Sequence, residues 1–507
     1  MVLWRRKSKV WVGRMVHLDY PFLDSKILIW LCVGLGIAFR LKVYLDNRSL
    51  WLDEARLSLN IVNKSIPQLF GSLDYEQGAP VGFLVVEKLI TQLFGNSEYA
   101  LRLFPFLSGT ISLILFYYFA CHFLNGKAPL MALALFVVSP YLIYYSAEVK
   151  QYSSDVLIML LLYSITFYFQ SNRLTLGKTV IFGLVGGIAL WFSHPAVFVL
   201  AGIGVCLLWF IYRDRDWQKL RLLLIAYSMW AASLVSLYIV SLRQLSHNAG
   251  LLNYWGKGFM PLLPHTAADV RWFMVTFWAI FDNPGGFELV GLAAFAALNG
   301  VLWMTLAQRE QFLLLVFPVG FTLVASGLYL YPFRGRLLLF IVPAIIVIVA
   351  AGIEQLRLNT TSSYLPIAAL FLSLLLFHPL LMVVHTLFNP ASKEEIRPVM
   401  DYIHRHQKDE DIIYLYYGAE EAFTFYQDRY GFQNGNYIVG VYSRDNLAGY
   451  AHDLDQLRDY KRVWILFSHL YSEDDEQAFF LYYLDLMGIQ RDAYELDGAA
   501  VYLYEFN

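Results

Sequence analysis

Asp53 and Glu54 stand side by side in the stretch Ser49-Leu50-Trp51-Leu52-Asp53-Glu54-Ala55-Arg56, where the first long apolar segment ends. Paired carboxylates at the edge of a bilayer are costly to desolvate and unnecessary for anchoring, so they ask for a chemical role. Such groups can take a proton from an attacking atom or ligate a divalent ion. Three other stretches carry comparable side chains: Glu148-Val149-Lys150-Gln151-Tyr152, His194-Pro195 and Tyr331-Pro332-Phe333-Arg334-Gly335-Arg336. Together they offer carboxylates, an ammonium, an imidazole and two guanidinium groups, the types needed for proton transfer beside a departing anion. Each also has a plain structural reading. Asp53 can cap the helix that follows it, with Glu54 favoured by the helix dipole. Glu148 and Lys150 can form an interfacial ion pair, His194 can serve a turn, and Arg334 and Arg336 can snorkel. The tyrosines at 141, 144, 145, 329 and 331 read as an interfacial aromatic belt.

The elements that would position these residues follow from composition. A chain of 507 residues that is 58% hydrophobic, 17% aromatic and 15% charged cannot bury its apolar surface in one soluble core. A polytopic α-helical membrane protein is expected. Laying about 20 residues per crossing along the sequence gives eleven spans, near 26–44, 99–124, 128–146, 152–170, 178–193, 196–212, 220–242, 286–306, 311–330, 337–353 and 364–388. Arg5, Arg6, Lys7, Lys9 and Arg14 precede the first span and suit a cytoplasmic tail over residues 1–25. With an odd number of crossings, all four polar stretches then face the outer side, where they form one candidate site. The loop after the first span shows helical periodicity over Leu52 to Ile66 and Pro80 to Phe94, and Glu87 and Lys88 make the second segment interfacial rather than spanning. The Gly-containing loop from Arg243 to Asp269 is expected to be a lid.

The membrane domain, residues 26–389, gives way to a charged and polar segment, residues 390–507. Helical and strand patterns alternate there, which predicts a small exoplasmic α/β domain with a largely parallel sheet and a terminal hairpin at Ala493 to Phe506. There is no Gly-rich phosphate loop and no metal-spaced Cys or His cluster. No cofactor is called for, apart from a divalent metal that the paired carboxylates could ligate. The net charge of -2 speaks against nucleic acid as a partner.

An acidic pair after the first span, a carboxylate-cation-tyrosine motif after the third and an arginine before a late span form a familiar order. The sequence resembles the C-type glycosyltransferases, in particular the group of dolichyl-phosphate-mannose protein mannosyltransferases and bacterial lipid A aminoarabinose transferases. The resemblance is strongest from Trp51 to Leu160, and Trp-x-Asp-Glu-Ala is its most specific piece. It implies a donor sugar carried on a polyprenyl phosphate and an exoplasmic glycan, lipid or protein acceptor. The active site would open to the outer face of the plasma (inner) membrane, among membrane lipids. Asp53 matches the family's catalytic aspartate, and Gln77-Gly78-Ala79-Pro80 occupies the place of its Pro-bearing turn. Lys150 stands where relatives commonly have arginine, a departure that replaces a bidentate fork with a point charge.

On this reading Asp53 is the general base and Glu54 its orienter or a metal ligand. Lys150, Arg334 and Arg336 hold the donor phosphate, while Glu148, Tyr152 and His194 contact substrate. One base and one displacement imply inversion at the anomeric carbon. The main rival is a secondary transporter or lipid flippase, which would place ionisable groups near the midplane and show two related halves. Neither feature is evident in the sequence.

Overall fold

The structure is a computed structural model and describes residues 25–171, 174–358, 365–390, 392–432, 436–444, 446–470 and 476–506. The basic tail expected over residues 1–25 lies outside the described residues except for its last position, as do residues 473–475 of the helix expected from Glu473.

Among the described residues nine helices are long and apolar enough to cross a membrane: Lys26–Leu45, Leu103–Phe123, Tyr152–Ser171, Ala196–Asp214, Trp217–Ser246, Val290–Ala307, Arg309–Gly327, Gly335–Leu356 and Ile367–Phe388. The segment expected at 128–146 is broken, its halves Ala128–Val138 and Pro140–Ala147 meeting at 57°. The break falls at Pro140, which has no backbone N–H to continue the ladder and clashes with the preceding turn. Counted as one span, it makes ten. The remaining expected crossing, near 178–193, is the shorter apolar helix Leu176–Phe192 of 17 residues. The protein is thus a multi-pass membrane protein with nine or ten clear candidate spans rather than eleven.

Where helices pack most tightly, side chains are small. A Cβ at Gly300 would stand 2.0 Å from the Ile348 carbonyl oxygen, and one at Gly352 would stand 1.8 Å from that of Ala296. Backbone therefore lies on backbone where Val290–Ala307 crosses Val342–Leu358.

The loop after the first span folds into Leu52–Asn63 and Val81–Phe94. The second of these has 14 residues, too few to cross roughly 30 Å of hydrocarbon. The stretch expected as a lid from Arg243 to Asp269 holds the short helices Arg243–Ser246 and Ala249–Tyr254 and a 3₁₀ turn at Gly256–Gly258. It then runs into a helix missed in the sequence, Ala267–Asp282, whose Val270, Met274, Val275 and Trp278 are exposed. Its periodicity is blurred because Arg271 interrupts an otherwise apolar and aromatic run.

The carboxyl-terminal domain holds strands β1 (Ile412–Leu415), β2 (Tyr437–Val439), β3 (Arg462–Ser468), β4 (Gly488–Leu496) and β5 (Ala499–Phe506) in the order β2-β1-β3-β5-β4. β1 runs parallel to β2 and to β3, whereas β5 is antiparallel to both β3 and β4. The sheet is therefore mixed rather than largely parallel. The reason is the terminal hairpin, which begins at Gly488 and turns at Gly498 with φ of 66°. Alternate β3 residues serve two cores. Val463, Ile465 and Phe467 pack with Tyr450, Leu454, Phe480 and Leu484. Trp464 and Leu466 join Val399, Phe423 and Tyr426, and the same core continues into Leu50, Ala55, Ile61, Phe83 and Val149 of the loops between the membrane helices.

Candidate active site

The helix Leu52–Asn63 begins at Trp51, which has extended dihedrals and supplies no side-chain cap. Asp53 is consequently not the cap. The Leu52 N–H donates to Glu394 Oε2 at 2.8 Å, so the cap comes from the far end of the chain. Both acidic residues lie in the first turn, where the helix dipole favours them.

About 100° apart on the helix, the two carboxylates do different things. Glu54 points inward and is buried, accepting from Arg102 Nε at 3.0 Å, from its NH2 at 2.7 Å and from the Val149 N–H at 2.7 Å. Arg102 in turn donates to the Arg48 carbonyl at 2.8 Å. Burial pushes the Glu54 carboxyl up, but Arg102 and Arg48 outweigh it and hold the group below the usual carboxylate range. With its oxygens engaged by Arg102 and Val149, Glu54 ties the 148–150 loop to the Asp53 helix. Among the described residues no three His, Cys, Asp or Glu side chains gather as a metal ion would need.

Asp53 faces the cleft with its side chain 20% exposed. Lys150 Nζ donates to Oδ1 at 3.1 Å, and an Arg336 guanidinium nitrogen lies 2.8 Å from Oδ2. Gln77 bridges the same pair, donating to Asp53 Oδ1 at 3.4 Å and accepting from Lys150 Nζ at 2.7 Å. Burial pushes the Asp53 carboxyl up, yet Lys150 and Arg336 more than reverse this, and its pKa falls below the ordinary value. For Lys150 the balance goes the other way: burial lowers its pKa more than Asp53 raises it, and Arg336 adds to the lowering.

Beside this cluster the Trp51 indole donates to Glu148 Oε1 at 3.1 Å. Glu148 is fully buried, and its Oε2 has no partner among the described residues. Burial raises its pKa against the pull of Lys393. The Arg336 guanidinium lies over the rings of Trp51 and Tyr152, 5.7 Å from each centre, and 5.6 Å from that of Trp255.

Asp53, Lys150, Arg336, Glu148 and Tyr152 thus meet at one end of the helices. Two expected members do not join them. Arg334 is exposed and packs its stem against Gly258, because the turn at Gly335, with φ of 50°, sends residues 334 and 336 to different surroundings. His194 sits on the turn before Ala196–Asp214, its Nε2 has no hydrogen-bond partner among the described residues, and burial pushes its pKa down to about 4.

Gln77, Arg102 and Trp51 are site residues that sequence reasoning did not assign. Gln77 and Trp51 lay inside the motifs that carried the resemblance, and Arg102 was a lone cation inside an expected span. Gln77 is presented by a tight turn in which Tyr75 and Glu76 have φ of 59° and 53°.

A family model described as dolichyl-phosphate-mannose-protein mannosyltransferase matches residues 78–243, about a third of the chain, which includes Glu148, Lys150 and Tyr152 but not Asp53 or Arg336. Two crystal structures of ArnT from Cupriavidus metallidurans, in the apo state and bound to undecaprenyl phosphate, are 13% identical to the chain. They superpose with TM-scores of 0.55 and 0.58, covering 95% of this chain and 98% of ArnT. An oligosaccharyltransferase from Archaeoglobus fulgidus is 11% identical with a TM-score of 0.48, over 93% of this chain and 72% of that one. No curated protein sequence matches the chain. By sequence over residues 78–243 and by fold over nearly its whole length, the chain is similar to the membrane glycosyltransferases of the C-type superfamily.

Proposed function

We propose that the protein transfers a sugar from a polyprenyl-phosphate donor to a glycan, lipid or protein acceptor on the exoplasmic face of the plasma membrane, with inversion and with Asp53 as general base. The observation that carries this reading is the Asp53 carboxylate bracketed by Lys150 and Arg336. An ArnT of similar fold has been crystallised with undecaprenyl phosphate, which supports a lipid-phosphate ligand here.

The bracketing gives an order to the chemistry. Paired with two cations, Asp53 is a poor base. A donor phosphate that engages Lys150 and Arg336 draws them off and leaves the carboxylate freer to accept a proton. The acceptor O–H or N–H then attacks the anomeric carbon from the face opposite the phosphate, Asp53 takes the proton, and the C–O bond to phosphate breaks. The bonding electrons leave with the polyprenyl phosphate. This leaving group gains a negative charge, so the cations stabilise the transition state more than the ground state. General-base catalysis of this kind is typically worth roughly 10²- to 10⁴-fold.

Asp53→Asn tests the reading, because amide for carboxylate keeps the shape and removes the basicity. Purified wild type and variant, supplied with polyprenyl-phosphate sugars, are expected to differ in transfer by at least about 100-fold. Equal rates would remove Asp53 from the chemistry. A transporter or flippase is the less favoured reading, since the charges converge at one end of the helices rather than midway.

A further inference from the structure

Lys150 and Arg336 are both engaged by Asp53, and their side chains are only 5% and 15% exposed. A phosphate approaching the cleft must first be held by a cation that is accessible and not already paired. One is present, and the membrane helices do not supply it. Lys393, in the linker between Ile367–Phe388 and the α/β domain, is solvent-exposed and makes no salt bridge among the described residues, although its charge is felt by the buried Glu148 carboxyl. Its ammonium stands 3.5 Å from the centre of the Trp51 ring and 5.0 Å from that of Tyr144. Arg336 lies over the same Trp51 ring, so the Lys393 ammonium and the guanidinium engaged by Asp53 are within reach of a single sugar-phosphate head.

The linker is fixed as a splint against the extended segment that leads into Asp53. Arg397 donates to the Asn47 carbonyl at 2.6 Å, Ser49 Oγ to Glu395 Oε2 at 2.8 Å and the Leu52 N–H to Glu394 Oε2 at 2.8 Å. From the other side the β4–β5 turn holds it. The Glu395 N–H donates to the Asp497 carbonyl at 2.9 Å, and a Cβ at Gly498 would stand 1.9 Å from the Lys393 carbonyl oxygen. Lys393 is therefore presented at a set position. Two buried polar atoms nearby have no partner among the described residues, the Arg336 Nε donor and the Glu148 Oε2 acceptor, and both await a ligand that offers oxygens and hydroxyls together.

We propose that Lys393 is a substrate-contacting residue, the first cation to engage the phosphate of the lipid-linked donor before that phosphate passes to Lys150 and Arg336. The proposal rests on the transfer reading above and assigns part of its specificity to the carboxyl-terminal domain, which delivers the residue.

The test is direct binding of undecaprenyl phosphate to the full-length protein in nanodiscs, comparing wild type with Lys393→Met, Lys393→Gln and Lys393→Arg, with melting temperatures recorded alongside. Methionine keeps the stem and removes the charge. It is expected to weaken binding at least about tenfold, as loss of a charge-assisted hydrogen bond does, with glutamine similar and arginine within a few-fold of wild type. Donor KM should rise more than kcat falls. Neutral undecaprenol should bind all four proteins alike, and inorganic phosphate should compete only weakly.

Unchanged binding by correctly melting Met and Gln variants overturns the assignment and leaves the transfer reading standing. Equal competition by inorganic phosphate overturns the lipid-borne ligand. Wild type that ignores undecaprenyl phosphate altogether brings down both this inference and the transfer reading.

Discussion

Asp53 and Glu148 sit in the same cleft and titrate in opposite directions. Cations hold Asp53 below its ordinary value, so its ionised form favours the fold. That contribution is complete above the unfolded carboxylate pKa of about 3.9 and is lost as pH falls through the lower folded value. The acid limb of kcat/KM from Asp53 should accordingly lie below about pH 4, since that profile reports the free enzyme. Lys150→Met should shift it upward, and a profile that does not move would show that Lys150 leaves the basicity of Asp53 alone. Burial holds Glu148 above its ordinary value, so its stabilising contribution is present below about pH 4.3 and is lost as pH rises through the folded value. Glu148→Gln should therefore raise the melting temperature at neutral pH while lowering transfer, a split that a scan and an assay on one preparation would reveal.

The helix Leu52–Asn63 is the element on which the site turns. Its inner face is locked by the forked Arg102–Glu54 pair, whose side chains are 2% and 1% exposed, and its first N–H by Glu394. Removing one partner of such a pair leaves a buried charge unmatched. Arg102→Met should cost about 3–5 kcal/mol, seen as a lowered unfolding midpoint. The same variant should release the 148–150 loop from the helix, because Glu54 also accepts from Val149. Farther away, the contact between Val290–Ala307 and Val342–Leu358 relies on Gly300 and Gly352. Gly352→Val should drive these helices apart and lower the yield of folded protein, as monitored by size exclusion in detergent, whereas Gly291→Ala, in open space, should not.

At the scale of the molecule, the two domains share a core. Leu50, Ala55, Phe83 and Val149 pack with Val399, Phe423, Trp464 and Leu466 in one continuous cluster. Charged groups seal its rim: Arg397 and Arg429 both bind Glu98, at 2.7 and 2.8 Å, and Arg56 binds Glu421 at 2.7 Å. A chain truncated after residue 389 would expose this core at the membrane surface. It is expected to aggregate or lose transfer entirely, and a truncated protein that is monodisperse and active would show that the α/β domain is dispensable. The outward orientation is tested with a cysteine at the exposed Ser72. Labelling of intact cells by an impermeant maleimide is expected, and labelling only after lysis would reverse the sidedness.

Membrane character, the α/β tail, the two helices in the loop after the first span and the candidacy of Asp53 and Lys150 were legible in the chain because local composition, hydropathic period and short motifs determine them. What the linear order does not carry is which polar groups meet. Glu54 beside Asp53 looks like a second reactive acid until the helix turns it onto Arg102. Arg334 and Arg336 look equivalent until Gly335 separates them, and Lys393-Glu394-Glu395 reads as the start of a helix until the hairpin turn presses it against Trp51 and Leu52. Those pairings join residues up to some 340 positions apart, and long-range packing alone decides them.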